Sequence, residues 1–435
     1  MTEHGVELFL EKCNSLGSKP GLETINELLE KLNNPQDKIP VLHIAGTNGK
    51  GSVFTFVASV LQEAGYRVGR YISPTISDYR ERFQINGKMI SKKDLAKQLE
   101  AMKSLCDEME AEGHNHPTSF EMETALSFSY FSDKKCDVVL LETGMGGTLD
   151  ATNVVKEPVL TVFSSISMDH MEYLGDTLEK IAKEKCGIMR NGVPVVSFFQ
   201  EEEVMSVISG MAAEHHAPLC QLDKKDIKKI KYGLNKQSFY YKEEKYEISL
   251  AGTHQIHNAA LAVCVVECLE KNFPVTRAQI KRGLLKAKWP GRLQVIGKNP
   301  LFVVDGAHNV DAAKKLMESI EIYFTNRKII YIMGMFKDKE YEEVVFLTAD
   351  RAEHIITVAT PGNPRALPAY ELAKVVREVN PNVTAADSIE EAVEISLWLA
   401  EKDTVVIAFG SLSFLGRLTQ IVEKKTTVRS DTHGR

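Results

Sequence analysis

The sequence has no excess of positive charge, no apolar run of membrane-spanning length, no low-complexity tract and no paired cysteine motif. Lysine and arginine total 53 against 59 aspartates and glutamates, a formal net charge of −6. That balance excludes a general affinity for nucleic acid or an anionic membrane. No stretch approaches the roughly 20 apolar residues that cross a bilayer. The first residues, MTEHGVELFLEK, carry no basic region ahead of an apolar core, so no secretory leader is expected. The seven cysteines (Cys13, Cys106, Cys136, Cys186, Cys220, Cys264 and Cys268) are scattered, odd in number and lack a C-x-x-C pair. They are expected as free or buried thiols in a reducing cytoplasm. Cys264 and Cys268 share a helical face, and core packing is favoured there over metal ligation. What remains is ordinary for a soluble globular protein: 43% hydrophobic and 26% charged residues, over 435 residues that suggest two or three domains.

Against that plain background one stretch stands out, IPVLHIAGTNGKGS (39–52). The apolar run 41–45 predicts a buried parallel strand. A turn rich in Gly and Asn follows, then a helical pattern over 50–64 closed by Gly65. Strand, glycine-rich turn and helix present backbone N–H groups and a helix N-terminus to a phosphate. Gly46, Gly49 and Gly51 let backbone approach the anion. Lys50 adds a point charge for the β/γ oxygens, and Ser52 a hydroxyl of the kind that ligates Mg²⁺. The spacing is shorter than G-x-x-x-x-G-K-[ST], so the competing reading is a simple turn; the strand–turn–helix context favours the phosphate loop.

Along the chain, residues 1–35 read as helices broken at Gly17, Pro20 and Gly21. A second strand is expected over 66–73, and a polar irregular loop over 75–86. Helices follow over 91–112 and 118–131, then strands over 137–142 and 158–165. The pattern continues with a helix over 177–189 and a strand over 193–197. Period-two alternation over 232–250 predicts antiparallel hairpins, and helices are expected over 255–269 and 276–287. After Trp289-Pro290-Gly291-Arg292, strand and helix alternate again. The fold class expected is therefore α/β. Residues 1–290 make a phosphate-loop domain with a mostly parallel sheet and a small antiparallel section. A linker spans 291–299, and 300–435 make a smaller Rossmann-like domain. The tail from 423 is polar and expected to fray.

Ligands of open α/β sheets bind beyond the carboxyl ends of the strands. Ser73, Glu142 and His170 all fall there. A hydroxyl, a carboxylate and an imidazole beside a phosphate loop make a Mg²⁺ site, with phosphates and water completing the octahedron. Imidazole is an uncommon Mg²⁺ ligand, so chemistry alone favours Glu142 and leaves a hydrogen-bonded loop role open for His170.

Beyond single motifs, a whole series of stretches carries a likeness: HIAGTNGKGS (43–52), YISP (71–74), ERFQING (81–87), PTSFEMETALSF (117–128), LLETGMGGTLDATN (140–153), SISMDHMEYLG (165–175), IAKEKCGIMR (181–190), HQIHNAALA (254–262), WPGRLQVI (289–296), VDGAHN (304–309) and FGSLSFLG (409–416). In this order, over nearly the whole chain, the sequence resembles the folylpolyglutamate synthases and the bifunctional dihydrofolate synthase/folylpolyglutamate synthases of the Mur ligase superfamily. The resemblance implies an ATP-dependent ligase that joins L-glutamate to the carboxylate of a folate, and also of dihydropteroate, through an acyl phosphate. It implies that Thr47, Asn48, Gly49, Lys50, Gly51 and Ser52 hold ATP phosphates. Asn258 would meet the adenine, and Arg292 and Asp305 the γ-phosphate and ribose side. Ser73, Glu142 and His170 would ligate Mg²⁺, with a second metal supported by a carbamylated Lys185. Residue chemistry alone reads Lys185 as an ordinary surface lysine on a helix. His308 and Ser411 would lie near the incoming glutamate, His308 to orient or deprotonate its amine. Ser18, Lys19, Pro20, Thr118, Phe120, Leu149 and Asp150 would line the pterin region.

The sequence departs from the family pattern at Thr75-Ile76, where SPHL is usual, and at Thr148, where an arginine is usual; both bear on the substrate side. A Mur-type ligase on another carboxylate, such as a UDP-linked precursor, is the nearest rival. Only about 45 residues precede Gly46, too few for a uridine-binding domain. A nucleotide-gated binding protein without ligase chemistry and a simple phosphotransferase are the others. Partners are expected to be small molecules, with no nucleic acid and no membrane, and the chain is expected as a cytoplasmic monomer.

Overall fold

The computed structural model describes residues 3–17 and 21–432. Ser18, Lys19 and Pro20, expected beside a pterin, lie outside them. The continuous apolar runs of the first half become the centre of a sheet covered on both faces. Its strands are β1 (Val41–Ala45), β2 (Val68–Tyr71), β3 (Phe83–Ile85), β4 (Lys88–Met89), β5 (Val138–Glu142), β6 (Leu160–Phe163), β7 (Val195–Ser197) and β8 (Leu219–Gln221). They lie in the order β4-β3-β2-β5-β1-β6-β7-β8. From β2 to β8 every pairing is parallel, and β3 and β4 add an antiparallel edge. Every residue of β1, β5 and β6 is buried, as expected for strands covered on both faces. A separate antiparallel sheet joins β9 (Ile227–Lys231), β10 (Gln237–Tyr241) and β11 (Glu244–Ile248), with the burial alternation along β10 that period two predicts.

The second half forms a six-stranded sheet in the order β12-β13-β17-β14-β15-β16. Its strands are β12 (Gln294–Lys298), β13 (Leu301–Val304), β14 (Lys328–Met333), β15 (His354–Thr357), β16 (Val383–Ala385) and β17 (Thr404–Phe409). Only β12 runs antiparallel to its neighbour. Gln294–Lys298 falls inside the stretch expected as linker.

Two further expectations change. Within 75–86 the backbone is ordered rather than irregular. A 3₁₀ turn, Tyr79–Arg82, leads into β3, because the Glu81 carboxylate accepts N–H bonds from Ile76, Ser77 and Asp78 at 2.7, 3.1 and 3.1 Å. The polar tail from 423 continues the helix Leu412–Thr432. Leu415, Leu418 and Val422, at helical spacing, dock it on the second sheet's core, and Lys425 reaches Glu394 at 2.7 Å. A helix, Glu202–Glu214, lies between β7 and β8.

Candidate active site

The site is assembled at the carboxyl ends of β1, β5 and β6. The chain leaves β1 through Gly46, whose φ is +156° and whose missing Cβ would collide with Ser164 Oγ. It enters the helix Lys50–Glu63 through Gly49, at φ +88°, where a Cβ would stand 2.8 Å from Asn258 Oδ1. These two positions require glycine for conformation and for space. A Cβ on Gly51 would lie 2.5 Å from the Trp289 ring, so the connection between the two sheets packs directly on the loop. Thr47 Oγ1 donates to the Ser167 carbonyl at 2.9 Å and accepts from Ser167 N–H at 3.1 Å, which ties the loop to the segment after β6.

Two lysines converge on one carbonyl. Lys50 Nζ and Lys185 Nζ each lie 3.0 Å from Gly46 O, and Lys50 also donates to Thr47 O at 3.2 Å. Lys185 is only 4% exposed, so the surface-lysine reading fails. Burial, then the Lys50 charge, lowers it from 10.5 to about 7. Glu142, at the end of β5, is equally enclosed. Burial raises its carboxyl to about 7, although Lys50, Arg292 and Arg70 pull the other way. His170 begins a short helix at φ +52°, and burial lowers it to about 4. Ser73 stands just past β2 on the same rim.

The second sheet delivers its residues from Trp289–Asn309. Asp305 is buried, its carboxylate accepting from Leu293 N–H at 2.8 Å and Ala307 N–H at 2.9 Å. This fixes the turn that carries Arg292, whose guanidinium fills the space a Gly306 Cβ would need. His308 Nδ1 lies 2.8 Å from Gly306 O. A carbonyl only accepts, so Nδ1 carries the proton and Nε2 keeps its lone pair. Burial lowers His308 to about 4, which keeps that ring neutral. Ser411 is buried at the start of the last helix, its hydroxyl accepting from Ser413 N–H at 3.2 Å.

On the far side of β5, the expected pterin residues hold their own loops. Thr118 caps the helix Ser119–Asp133 in a reciprocal box with Glu121. Phe120 packs where a Gly144 Cβ would stand, 2.6 Å from its ring. Asp150 spends its buried carboxylate on Met145 N–H, Thr152 N–H and the Thr152 hydroxyl, at 2.8, 3.0 and 2.5 Å. Leu149 is 52% exposed and free to meet a ligand. Thr148 binds the Glu184 carbonyl through both N–H and hydroxyl, at 2.9 and 3.1 Å, beside Lys185.

Several residues of the cradle were not singled out from the sequence. Gln255 donates to Ser52 Oγ at 3.2 Å and accepts from Asn258 Nδ2 at 3.2 Å, linking the two expected nucleotide contacts. Asp169 joins the two halves of the molecule. Lys339 Nζ reaches its Oδ1 at 2.6 Å and Asn309 Nδ2 its Oδ2 at 3.0 Å, while Asn48 Nδ2 donates to Asp311 at 2.8 Å. Burial would raise the Asp169 carboxyl, but Lys339 and His170 outweigh it and hold it below the usual carboxylate range. Its position beside His170, and Asn309 within VDGAHN, were the available signals; nothing marked Lys339.

Comparison with known proteins matches nearly the whole chain. The Mur ligase middle domain matches residues 44–266, and the Mur ligase glutamate ligase domain matches 291–412. The dihydrofolate synthase/folylpolyglutamate synthase of Bacillus subtilis is 37% identical over 408 residues, 92% of this chain and 94% of that protein. The Mycobacterium tuberculosis folylpolyglutamate synthase complexed with ADP superposes with a TM-score of 0.90 at 27% identity, over 97% of this chain and 99% of the other. E. coli FolC in complex with DHPP and ADP gives 0.84 at 27% identity, over 97% and 98%.

Proposed function

The chain belongs to the folylpolyglutamate synthase/dihydrofolate synthase family of Mur ligases and is an ATP-dependent ligase joining glutamate to folates or dihydropteroate, and we propose that the cradle around Gly46 is its catalytic centre. The observation that carries this reading is the convergence of half-buried Lys50 and buried Lys185 on the Gly46 carbonyl, beside the buried Glu142 carboxylate. Backbone from Thr47 to Ser52 receives the ATP phosphates at the helix N-terminus, with Lys50 against the β/γ oxygens. Gln255 holds Asn258 toward the base.

A carboxylate does not condense with an amine at neutral pH, because it is a poor electrophile with a poor leaving group. The γ-phosphoryl of ATP passes to the substrate carboxylate, giving an acyl phosphate. The α-amine of glutamate adds to its carbonyl, and phosphate leaves from the tetrahedral intermediate. Lys50 and Arg292 offset negative charge on the transferring phosphoryl, a role worth several kcal/mol in sites of this kind, about 3 kcal/mol per donor removed. His308 accepts or orients an amine proton through its free Nε2. Trp289 and the Asp305 turn bring Arg292 over the loop, so docking of the second sheet excludes water from the acyl phosphate.

The donor set fits Mg²⁺. Glu142 is a carboxylate whose burial three cations do not fully offset, and neutral His170 and the Ser73 hydroxyl share its rim. When bound, the ion neutralises charge on the phosphates. Lys185, with a substantial neutral fraction near pH 7, has the free amine that adds CO₂ and sheds a proton to become a carbamate. That group would hold a second cation. No helix among the described residues is long and apolar enough to cross a membrane, and a cytoplasmic monomer acting on both acceptors is the setting we infer.

The test is ATP- and Mg²⁺-dependent incorporation of labelled L-glutamate, run in parallel on dihydropteroate and tetrahydrofolate. Both acceptors should be labelled, and Lys50→Ala should abolish both. Labelling of tetrahydrofolate alone overturns the dual specificity. Labelling by Lys50→Ala at the native rate overturns the site.

A further inference from the structure

Three sulfurs meet at the open edge of the first sheet, away from the ligase chemistry. Cys220 lies in the edge strand β8, and Cys264 and Cys268 sit one turn apart on the helix Thr253–Cys268. The three Sγ atoms all lie within 4.8 Å of one another, and Cys220 Sγ is 3.2 Å from Cys264 Sγ. No other group of three or more His, Cys, Asp or Glu ligand atoms among the described residues converges in this way. Sequence spacing offered only the helical pair, which read as core; the third sulfur arrives through the fold, 44 residues from Cys264.

We propose that Cys220, Cys264 and Cys268 form a binding site for one soft, thiophilic d¹⁰ metal ion, with Zn²⁺ as its working probe. Three facts support it. A disulfide consumes two sulfurs and leaves the third unexplained, whereas a trigonal or tetrahedral thiolate site uses all three. Zinc–thiolate bonds of about 2.3 Å put ligand sulfurs roughly 3.8 Å apart, within the span observed here. Cys264 is buried while Cys220 and Cys268 are half-exposed, so the site is anchored on one side and open to an entering ion on the other. Soft thiolates select Zn²⁺ or Cu⁺ over Mg²⁺, so the site does not compete for the ligase's own cation.

Bound there, the ion ties β8 to the last turn of the helix whose first turns carry Gln255 and Asn258. Its effect is a structural tether rather than a chemical one.

The test uses full-length protein, reduced and stripped of metal. Zn²⁺ is titrated against a chromophoric chelator, and Co²⁺ binding is followed by thiolate-to-cobalt charge-transfer absorption. One equivalent should bind, the charge-transfer band should appear, and the melting temperature should rise. Cys220→Ser and Cys268→Ser, both at half-exposed positions, should each weaken binding by more than about 100-fold while retaining glutamate ligation. Absence of the band in the native protein overturns the site. So does its persistence in the Cys220→Ser/Cys264→Ala/Cys268→Ser variant. Quantitative formation of a Cys220–Cys264 disulfide with a low-molecular-weight disulfide oxidant, without prior metal uptake by the reduced form, reassigns the cluster to redox chemistry and overturns the proposal.

Discussion

Glu142 and Asp169 are two enclosed carboxylates on the same rim, and they are perturbed in opposite directions. Glu142 is raised to about 7, because burial outweighs Lys50, Arg292 and Arg70. Asp169 is held below the usual range, because Lys339 at 2.6 Å and His170 outweigh its burial. One carboxylate has cations near it but none in contact at ion-pair distance among the salt bridges of the described residues. The other is locked to a lysine from the opposite half of the chain. The difference separates two uses of a buried charge. Asp169 is satisfied by the protein and ties its two halves together, while Glu142 fits the cation proposed for this site.

Glu142→Gln breaks this comparison most severely. It should lower kcat for glutamate incorporation about 1,000-fold, equivalent to about 4 kcal/mol, and flatten the dependence of rate on Mg²⁺ concentration. A variant with native Mg²⁺ dependence would show that the carboxylate is not a ligand. Lys339→Ala should come next. It strands Asp169 as an unpaired buried charge and should cost about 3 kcal/mol by denaturant unfolding, with a further loss of compactness in solution scattering. Lys339→Ala with Asp169→Asn should recover part of that loss, because no lone charge then remains. The smallest effect concerns pH. The metal-free protein binds more protons at Glu142 when folded than when unfolded, so this group's contribution to stability falls as pH rises from about 4.5 to about 7. Thermal melts of Glu142→Gln should lack that component of the slope, and Mg²⁺ should stabilise the native protein more at pH 8 than at pH 6.

How far these features were readable from the chain depends on how far apart their parts lie. The loop proposed to hold nucleotide phosphates is local: strand, glycines, Lys50 and Ser52 fall within 14 residues, and hydrophobic periodicity marks their context. The central strands were equally plain, since burial on both faces demands unbroken apolar runs. Lys339 meets Asp169 across 170 residues, and its contact leaves no periodic trace. Lys185 illustrates a different gap. Its helix has basic residues in the last turn, an arrangement typical of a solvated end, and only the approach of Gly46 O reveals that this lysine points inward. Segment 75–86 looked irregular because its order comes from one carboxylate, Glu81, collecting backbone donors, a pattern that composition does not record.

The indole that packs on Gly51 also gives the molecule a native optical probe. The chain has two tryptophans. Trp398 is 83% exposed on the second half, where its emission should be red-shifted and readily quenched by iodide. Trp289 is half-buried, with Arg70 held 5.0 Å from its ring centre. Its fluorescence sits where the phosphate loop and the second half of the chain touch. With Trp398 changed to Phe, each nucleotide arrival and each separation of the two halves should register as a change in the brightness of a single side chain.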